Sequence, residues 1–199
     1  MEDKRVIKTK RNLKNTMIRL LSSKIPFEKI SVSELCREGE TSRITFYTHY
    51  DDKYDLAEDI FRDYIAVAEK EYYSLQSKNN PNGIALYGYY NMLDSILNLY
   101  HNNIELFSTI SPDRNPYLYS AFYQHIFCRV NGYIIKRSEQ MKPKYPVRQM
   151  TSLICNGLLG VITDCYNPQI PQEEQRSSIM SMFNDILKSD IFDSSNMRS

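Results

Sequence analysis

Hydrophobic residues recur along this 199-residue chain at the spacing of an α-helix. A first helix is predicted over residues 4–23, because its apolar positions return every three or four residues; they are Leu13, Met17, Leu20 and Leu21. Pro26 ends this helix. Ser31 stands three positions before Glu34, the spacing of a capping box, so a short second helix is expected to begin there.

A third short helix is predicted after the interruption at Gly39 and Glu40. Thr41 or Ser42 provides its N-cap, and Phe46 with Tyr50, four positions apart, forms its apolar face. A long fourth helix follows over residues 53–76, and five more helices follow turn-forming breaks at 77–83, 111–116, 142–146 and 167–171. The predicted fold is therefore all-α with about nine helices. We expect a three-helix head at 1–53, a helical body at 54–190 and a disordered tail at 191–199.

Charged residues are distributed unevenly between the predicted head and the predicted body. The net charge is only +1, but basic residues exceed acidic ones in residues 1–53, whereas acidic residues exceed basic ones afterwards. Every charged residue from Lys4 to Phe27 is basic, which is typical of a segment that meets a polyanion, although a merely solvated basic helix has the same pattern.

Several function classes have no support in the sequence. Cys36, Cys128, Cys155 and Cys165 are scattered without a CxxC pair, which indicates small buried side chains and neither a zinc site nor a disulfide framework. No nucleotide-binding or hydrolase motif occurs, so we expect no enzyme, no cofactor and no metal. No apolar run approaches the roughly 18 residues of a membrane span, and the start has no secretory signal, so we expect no membrane association and a cytoplasmic protein.

Three short helices, the last two joined by a tight turn, are what a helix-turn-helix reader needs. The third helix enters the major groove while the second crosses the phosphate backbone. In the third helix Phe46 and Tyr50 must face inward as anchors, which leaves its other side chains for DNA. Ser42, Arg43, Ile44, Thr45 and Thr48 are the candidates for contact with bases.

The head resembles the TetR/AcrR family of bacterial transcriptional regulators. The resemblance covers residues 5–65, and its most specific part is the run from Thr45 to Tyr50 followed by Asp52 and Lys53. It implies that Tyr47, His49 and Lys53 contact phosphates, roles for which a hydroxyl, an imidazole and an ammonium are suited. It also implies double-stranded operator DNA as partner, with the protein acting as a repressor.

Arg43 is the residue predicted to specify sequence, because only its side chain forms a bidentate contact to guanine; Ile44 or Thr45 meets a thymine methyl. The alternative is that Arg43 grips phosphate alone. The turn departs from the family pattern, since Gly39 lies one position early and Glu40 occupies a position that calls for φ above zero. The acid near phosphates leaves open a second interpretation, a co-regulator that binds a protein partner and has weak or no affinity for DNA.

For the body, the resemblance implies a homodimer through the last two long helices and a cavity for a small-molecule effector. Gly157 and Gly160 would let another helix approach, although packing within one chain explains the same apolar faces. The body is rich in tyrosine, which fits an aromatic pocket as well as ordinary core packing. The residues predicted to line a pocket are Tyr90, Phe107, Phe122, Tyr123, His125 and Tyr166; the effector itself is not indicated.

Overall fold

The computed structural model describes residues 4–164, 169–189 and 191. Every regular element in these ranges is helical, which confirms the all-α prediction. The helices are α1 (Lys4–Ser22), α2 (Val32–Glu38), α3 (Arg43–Tyr47), α4 (Lys53–Asn79), α5 (Ala85–Asn102), α6 (Ile104–Phe107), α7 (Pro116–Lys136), α8 (Ser138–Met141), α9 (Val147–Asp164) and α10 (Gln172–Lys188), with a 3₁₀ turn at Phe27–Lys29.

The described helices number ten instead of the predicted nine, because the seventh helix stops early. Arg137 leaves helical geometry at φ −111° and ψ 11°, and α8 forms one separate turn after it. The loop predicted at 77–83 is shorter, because Asn80 holds the end of α4. Its side-chain amide donates to Gln76 Oε1 and to the Ile84 carbonyl, each at 2.8 Å.

The chain forms two compact units whose limits differ from the predicted boundary at residue 53. Unit 1 extends to Tyr64 and also includes Asn103–Phe122, whereas unit 2 comprises Ile65–Asn102 and the chain from Tyr123 onward. The α4 helix thus contributes its first turns to unit 1 and its later turns to unit 2. Residues 165–168, 190 and 192–199, which include Cys165, Tyr166 and most of the predicted tail, lie outside the described residues.

Unit 1 is built around the apolar stripe of α1. Leu13 and Met17 are completely buried, as are Leu35 of α2 and Phe46 of α3. The segment from Asn103 to Phe122 belongs here because it packs against the head: the Asn115 side chain accepts a hydrogen bond from the Phe27 amide at 2.7 Å, and α6 contacts α1.

Unit 2 is organised by contacts of α5 with α7 and α10. Tyr133 of α7 donates its hydroxyl hydrogen to the Ala85 carbonyl at 3.0 Å. Gly88 makes room for that hydroxyl, since a Cβ at this position would lie 1.8 Å from the Tyr133 oxygen. On α10, Arg176 donates to Asp94 and Asn98 of α5.

No helix in the described part of the chain combines the length and the apolar composition needed to cross a bilayer.

Candidate DNA interface

The turn between α2 and α3 is a Schellman motif with glutamate in the position that glycine usually occupies. The backbone amide of Thr41 donates to the Cys36 carbonyl at 2.9 Å, and the backbone amide of Glu40 donates to the Arg37 carbonyl at 3.4 Å. Glu40 has φ 48°, as the sequence pattern predicts, so a residue with a Cβ is held in the left-handed region. Its carboxylate is exposed.

Gly39 has a different role from the one its position in the turn implies. Its φ is −92°, which any residue adopts. What excludes a side chain is the close approach of neighbouring atoms: an added Cβ would lie 2.8 Å from the Leu35 carbonyl and 3.2 Å from the Thr16 hydroxyl. Glycine is therefore needed here because the Leu35 carbonyl of α2 and the side chains of α1 leave no room for a Cβ.

We expect opposite effects from substitutions at these two neighbours. Glu40→Gly should raise the free energy of unfolding by about 0.5–1 kcal/mol, because glycine relieves the left-handed strain. Gly39→Ala should lower it by about 1–3 kcal/mol through overpacking. Urea denaturation of both variants measures the difference, and a destabilised Glu40→Gly protein would contradict the assignment of strain to residue 40.

The N-terminus of each helix in the pair is capped by serine. The Ser31 hydroxyl accepts from the Glu34 amide at 3.1 Å, as the capping-box spacing predicts. The Ser42 hydroxyl accepts from the Thr45 amide at 3.0 Å and lies 2.8 Å from the Thr45 hydroxyl. With Ser42 as its N-cap, the α3 helix runs over Arg43–Tyr47. Its five residues make it shorter than the predicted recognition segment from Ser42 to Tyr50.

Two aromatic residues anchor α3, as predicted. Phe46 is completely buried and Tyr50 almost so. The Tyr50 hydroxyl donates to Asp59 Oδ2 at 2.8 Å, and Lys14 Nζ lies 2.8 Å from the same oxygen. Burial opposes the charge on Asp59, but the hydrogen bonds from Lys14 and Tyr50 outweigh it and the pKa of Asp59 is lowered. One carboxylate thus joins α1 and α4 to the end of the α3 segment.

Asp59→Asn should lower the free energy of unfolding by about 1–3 kcal/mol, since the hydrogen bonds from Lys14 and Tyr50 lose the negative charge that strengthens them. Asp63→Asn is the matched control: Asp63 also pairs with Lys14, at 2.6 Å, but its side chain is 63% exposed, so the loss should stay below about 1 kcal/mol. Because the pKa of Asp59 is lowered on folding, its contribution should be present above about pH 4 and lost as the pH falls further. Urea titrations at neutral and acidic pH test both statements; equal losses for the two variants would contradict them.

The outward side of α3 presents three side chains to solvent. Ile44 is 81% exposed and Tyr47 is 50% exposed, and Arg43 is exposed beside them. Within the described residues the Tyr47 hydroxyl has no hydrogen-bond partner, and Arg43 has no ion pair. An isoleucine this exposed on a helix otherwise anchored by buried rings indicates a contact surface.

The remaining predicted contacts are less available. The Thr48 hydroxyl donates to the Thr45 carbonyl at 2.7 Å, and His49 is half-buried. The hydroxyls of Ser42 and Thr45 are engaged with each other, as described above. These residues stay within reach of a groove, but the hydroxyls of Ser42, Thr45 and Thr48 already have partners inside unit 1.

Lys53 is used differently from the phosphate contact predicted for it. Its ammonium donates to the carbonyls of Phe27, Glu28 and Ile30 at 2.9, 3.1 and 3.0 Å, and its side chain is only 13% exposed. An ammonium has three hydrogens to donate, so these carbonyls take all of them. In the structure Lys53 therefore stabilises the 3₁₀ turn before α2.

The basic residues of α1 divide into two groups. Lys14 is committed to the Asp59 cluster, and Arg19 pairs with Glu38 at 3.0 Å. Towards the start of the helix the cationic side chains are exposed; they are Lys4, Arg5, Lys8 and Arg11. In the described chain, no group of three His, Cys, Asp or Glu side chains is arranged to hold a metal ion.

Five of the body residues predicted to line a pocket are described by the structure; they are not brought together, and this part of the prediction is corrected. Phe107 and Phe122 pack with centroids 4.9 Å apart in the buried core of unit 1. Tyr90 donates to Asn184 in unit 2, and the Tyr123 hydroxyl lies 3.4 Å from that of Ser152. His125 is half-buried on α7, and Tyr166 lies outside the described residues. A cavity of about 440 Å³ in unit 2 is lined by none of the five that the structure describes.

No family model and no curated protein matches the sequence. Solved structures do match over most of its length. A TetR-family transcriptional regulator from Syntrophomonas wolfei is 14% identical, with 92% of this chain and 96% of that chain covered and a TM-score of 0.71. A tetR-family transcription regulator from Shewanella sp. PV-4 is 18% identical, covers 89% and 97%, and has a TM-score of 0.63.

A third match is the fatty acid degradation regulator FadR of Bacillus halodurans, which is 10% identical, covers 96% of this chain and 98% of that chain, and has a TM-score of 0.65. At these identities the agreement concerns backbone architecture. The chain therefore has the fold of TetR-family transcriptional regulators.

Proposed function

We propose that this protein is a dimeric transcriptional regulator, a repressor that binds a palindromic DNA operator and is released by a small molecule. The observation that carries the proposal is the outward side of α3, where Arg43, Ile44 and Tyr47 are exposed on a helix held rigidly by Phe46 and Tyr50. Arg43 reads a guanine, Ile44 meets a thymine methyl and Tyr47 donates to a phosphate. The exposed cations at the start of α1 add attraction for the duplex.

The homodimer is proposed through α9 and α10. On α9 an apolar side chain, Leu153, is 59% exposed, and Gly157 is exposed one turn further along. An added Cβ at Gly157 meets nothing within 4 Å, so nothing in its own protomer calls for glycine. Met182 adds exposed apolar surface on α10. Two such faces related by a two-fold axis bury their apolar side chains and pair two heads with the two halves of a palindrome.

The experiment that tests the proposal is an electrophoretic mobility shift with the DNA that flanks the protein's own gene, over a series of salt concentrations. We expect sequence-specific binding whose affinity falls steeply as salt rises. Binding with no preference over an unrelated duplex would contradict operator recognition.

A second candidate function rests on Glu40. Its exposed carboxylate sits in the turn that leads into α3, where it repels DNA phosphates. A co-regulator that binds a protein partner through this head tolerates such a charge. An intact dimer that binds no duplex at low salt, with Glu40→Gly failing to restore binding, would favour this alternative over the repressor.

A further inference from the structure

The cavity of unit 2 has an apolar floor and aromatic walls. It lies between the later turns of α4, α5 and α7 and has a volume of about 440 Å³, within the range of about 300–1000 Å³ found for small-molecule sites. Ile65 and Ala68 of α4, Ile96 of α5 and Ile126 of α7 are buried beneath it. Tyr72 and Tyr133 approach each other edge to face at 6.2 Å on its wall.

One end of this cavity is polar and cationic. Three residues spaced about one turn apart, two on α7 and one directly after it, contact α4 or the loop that follows it. Arg129 forms an ion pair with Glu69 at 2.6 Å, and the Tyr133 ring packs edge to face against the Tyr72 ring. Arg137 donates a hydrogen bond to the Gly83 carbonyl in the loop. The end nearest that loop carries Lys136 and Arg137. Glu69 is neutralised by Arg129, whereas Lys136 and Arg137 form no ion pair with any residue that the structure describes. The lining therefore has an excess of positive charge.

The Arg137 side chain is held in place by its neighbours, but its hydrogen-bonding capacity is not fully used. Its Nη1 donates to the Gly83 carbonyl at 3.0 Å, and its guanidinium carbon lies 5.9 Å from the centre of the Tyr133 ring. Its Nε is buried and has no hydrogen-bond partner among the described residues. A buried charged donor without an acceptor costs free energy, and a fixed guanidinium edge fits the two oxygens of a carboxylate.

We infer that this cavity binds an organic carboxylate, with its head on Arg137 and an apolar aromatic or alkyl body against the isoleucine and tyrosine walls. The head pairs with the Arg137 guanidinium and balances the charge of Lys136, while the body removes apolar surface from water. The inference rests on the proposed function in treating this cavity as the effector site, but carboxylate binding is measured without DNA.

Matched pairs of probes test the inference on the full-length protein. Naphthoate and decanoate should raise the melting temperature by about 5–10 °C at a concentration of about 100 times their Kd, whereas naphthol and decanol, which lack the charge, should raise it far less. Equal stabilisation by the neutral partners, or no stabilisation by either carboxylate, would overturn the inference.

Variants locate the site. Arg137→Met should weaken carboxylate binding about 10- to 100-fold, while Arg148→Met, which removes a surface arginine over Phe127, should leave it unchanged. Gly132→Leu tests the site independently of Arg137, because Gly132 lines the cavity and an added Cβ meets nothing within 4 Å. The leucine should fill the space and abolish binding in a folded protein. Retained affinity in Gly132→Leu would overturn the location.

Chemical modification gives a second readout of the location. Cys128 lines the cavity and is exposed, whereas Cys36 and Cys155 are buried. In a Cys165→Ser background, naphthoate should slow maleimide labelling of Cys128, and unchanged labelling at saturating naphthoate would overturn the location. Mobility shifts with the same probes then address regulation: carboxylate binding without release from DNA would contradict the proposed function and leave the binding site established.

Discussion

Arg43→Ala is expected to weaken operator binding about 100-fold or more and to change which duplexes are preferred. A bidentate arginine contact to guanine contributes about 1–3 kcal/mol of discrimination in each half-site, and a dimer loses it in both halves. The exposed position of Arg43 at the first turn of α3, free of ion pairs within the described residues, leaves its guanidinium available for this contact.

Tyr47→Phe separates base reading from phosphate contact. Loss of the hydroxyl should weaken binding to every duplex by a similar factor, because phosphates are the same in all sequences.

Arg114→Ala is the control for the positive charge lost in Arg43→Ala, since Arg114 is exposed in unit 1 outside the α2 and α3 segments. Competition binding against duplexes altered at each operator position measures preference. If Arg43→Ala lowered affinity for all of them equally, Arg43 would be a phosphate contact and its role in specificity would be wrong.

The local features of the head could be predicted from the sequence because they depend on neighbours along the chain. Capping of α2 by Ser31, burial of Phe46 with Tyr50, and the positive φ of Glu40 each follow from residues within a few positions. Helix caps and turns are set by short-range hydrogen bonds. The anchors and cap of α3 therefore follow from a single stretch of sequence, although the helix itself, Arg43–Tyr47, is shorter than predicted.

The environment of the Lys53 ammonium could not be predicted from neighbouring residues. Its place in the motif indicates a phosphate contact, but the Phe27–Lys29 turn folds back so that three carbonyls surround the ammonium. That environment depends on residues more than twenty positions away. Nothing in the local pattern indicates that the turn directs three carbonyls at the same ammonium, although the Phe27 carbonyl already accepts the Ile30 amide.

The cavity could not be predicted for a related reason. Phe107 and Phe122 have the composition of a pocket wall, yet both lie in unit 1 because Asn103–Phe122 packs with the head. The residues that line the cavity are distributed over α4, α5 and α7, and their proximity depends on how these helices pair. The one signal in the sequence was the run Lys136 and Arg137 at the end of a largely apolar helix.

Leu153→Arg is expected to convert the protein from a dimer to the 23.5-kDa protomer. A two-fold interface contains the substitution twice, and an arginine buried there without a partner costs several kcal/mol, so the dimer dissociation constant should rise at least about 100-fold. Operator affinity should fall by a further factor of about 100 or more, because two linked heads bind a palindrome with a high effective concentration that single heads lack.

Ile135→Arg is the matched control for this substitution. Ile135 is 57% exposed, like Leu153, but lies on α7, outside the proposed interface. Light scattering after size exclusion should find a dimer for Ile135→Arg and a protomer for Leu153→Arg, with the same helical content by circular dichroism. Because Leu153 has so much exposed surface in the single chain, the arginine is accommodated in the protomer and the loss arises from association alone. A Leu153→Arg protein that stays dimeric and keeps its operator affinity would place the dimer contact on another face of the molecule.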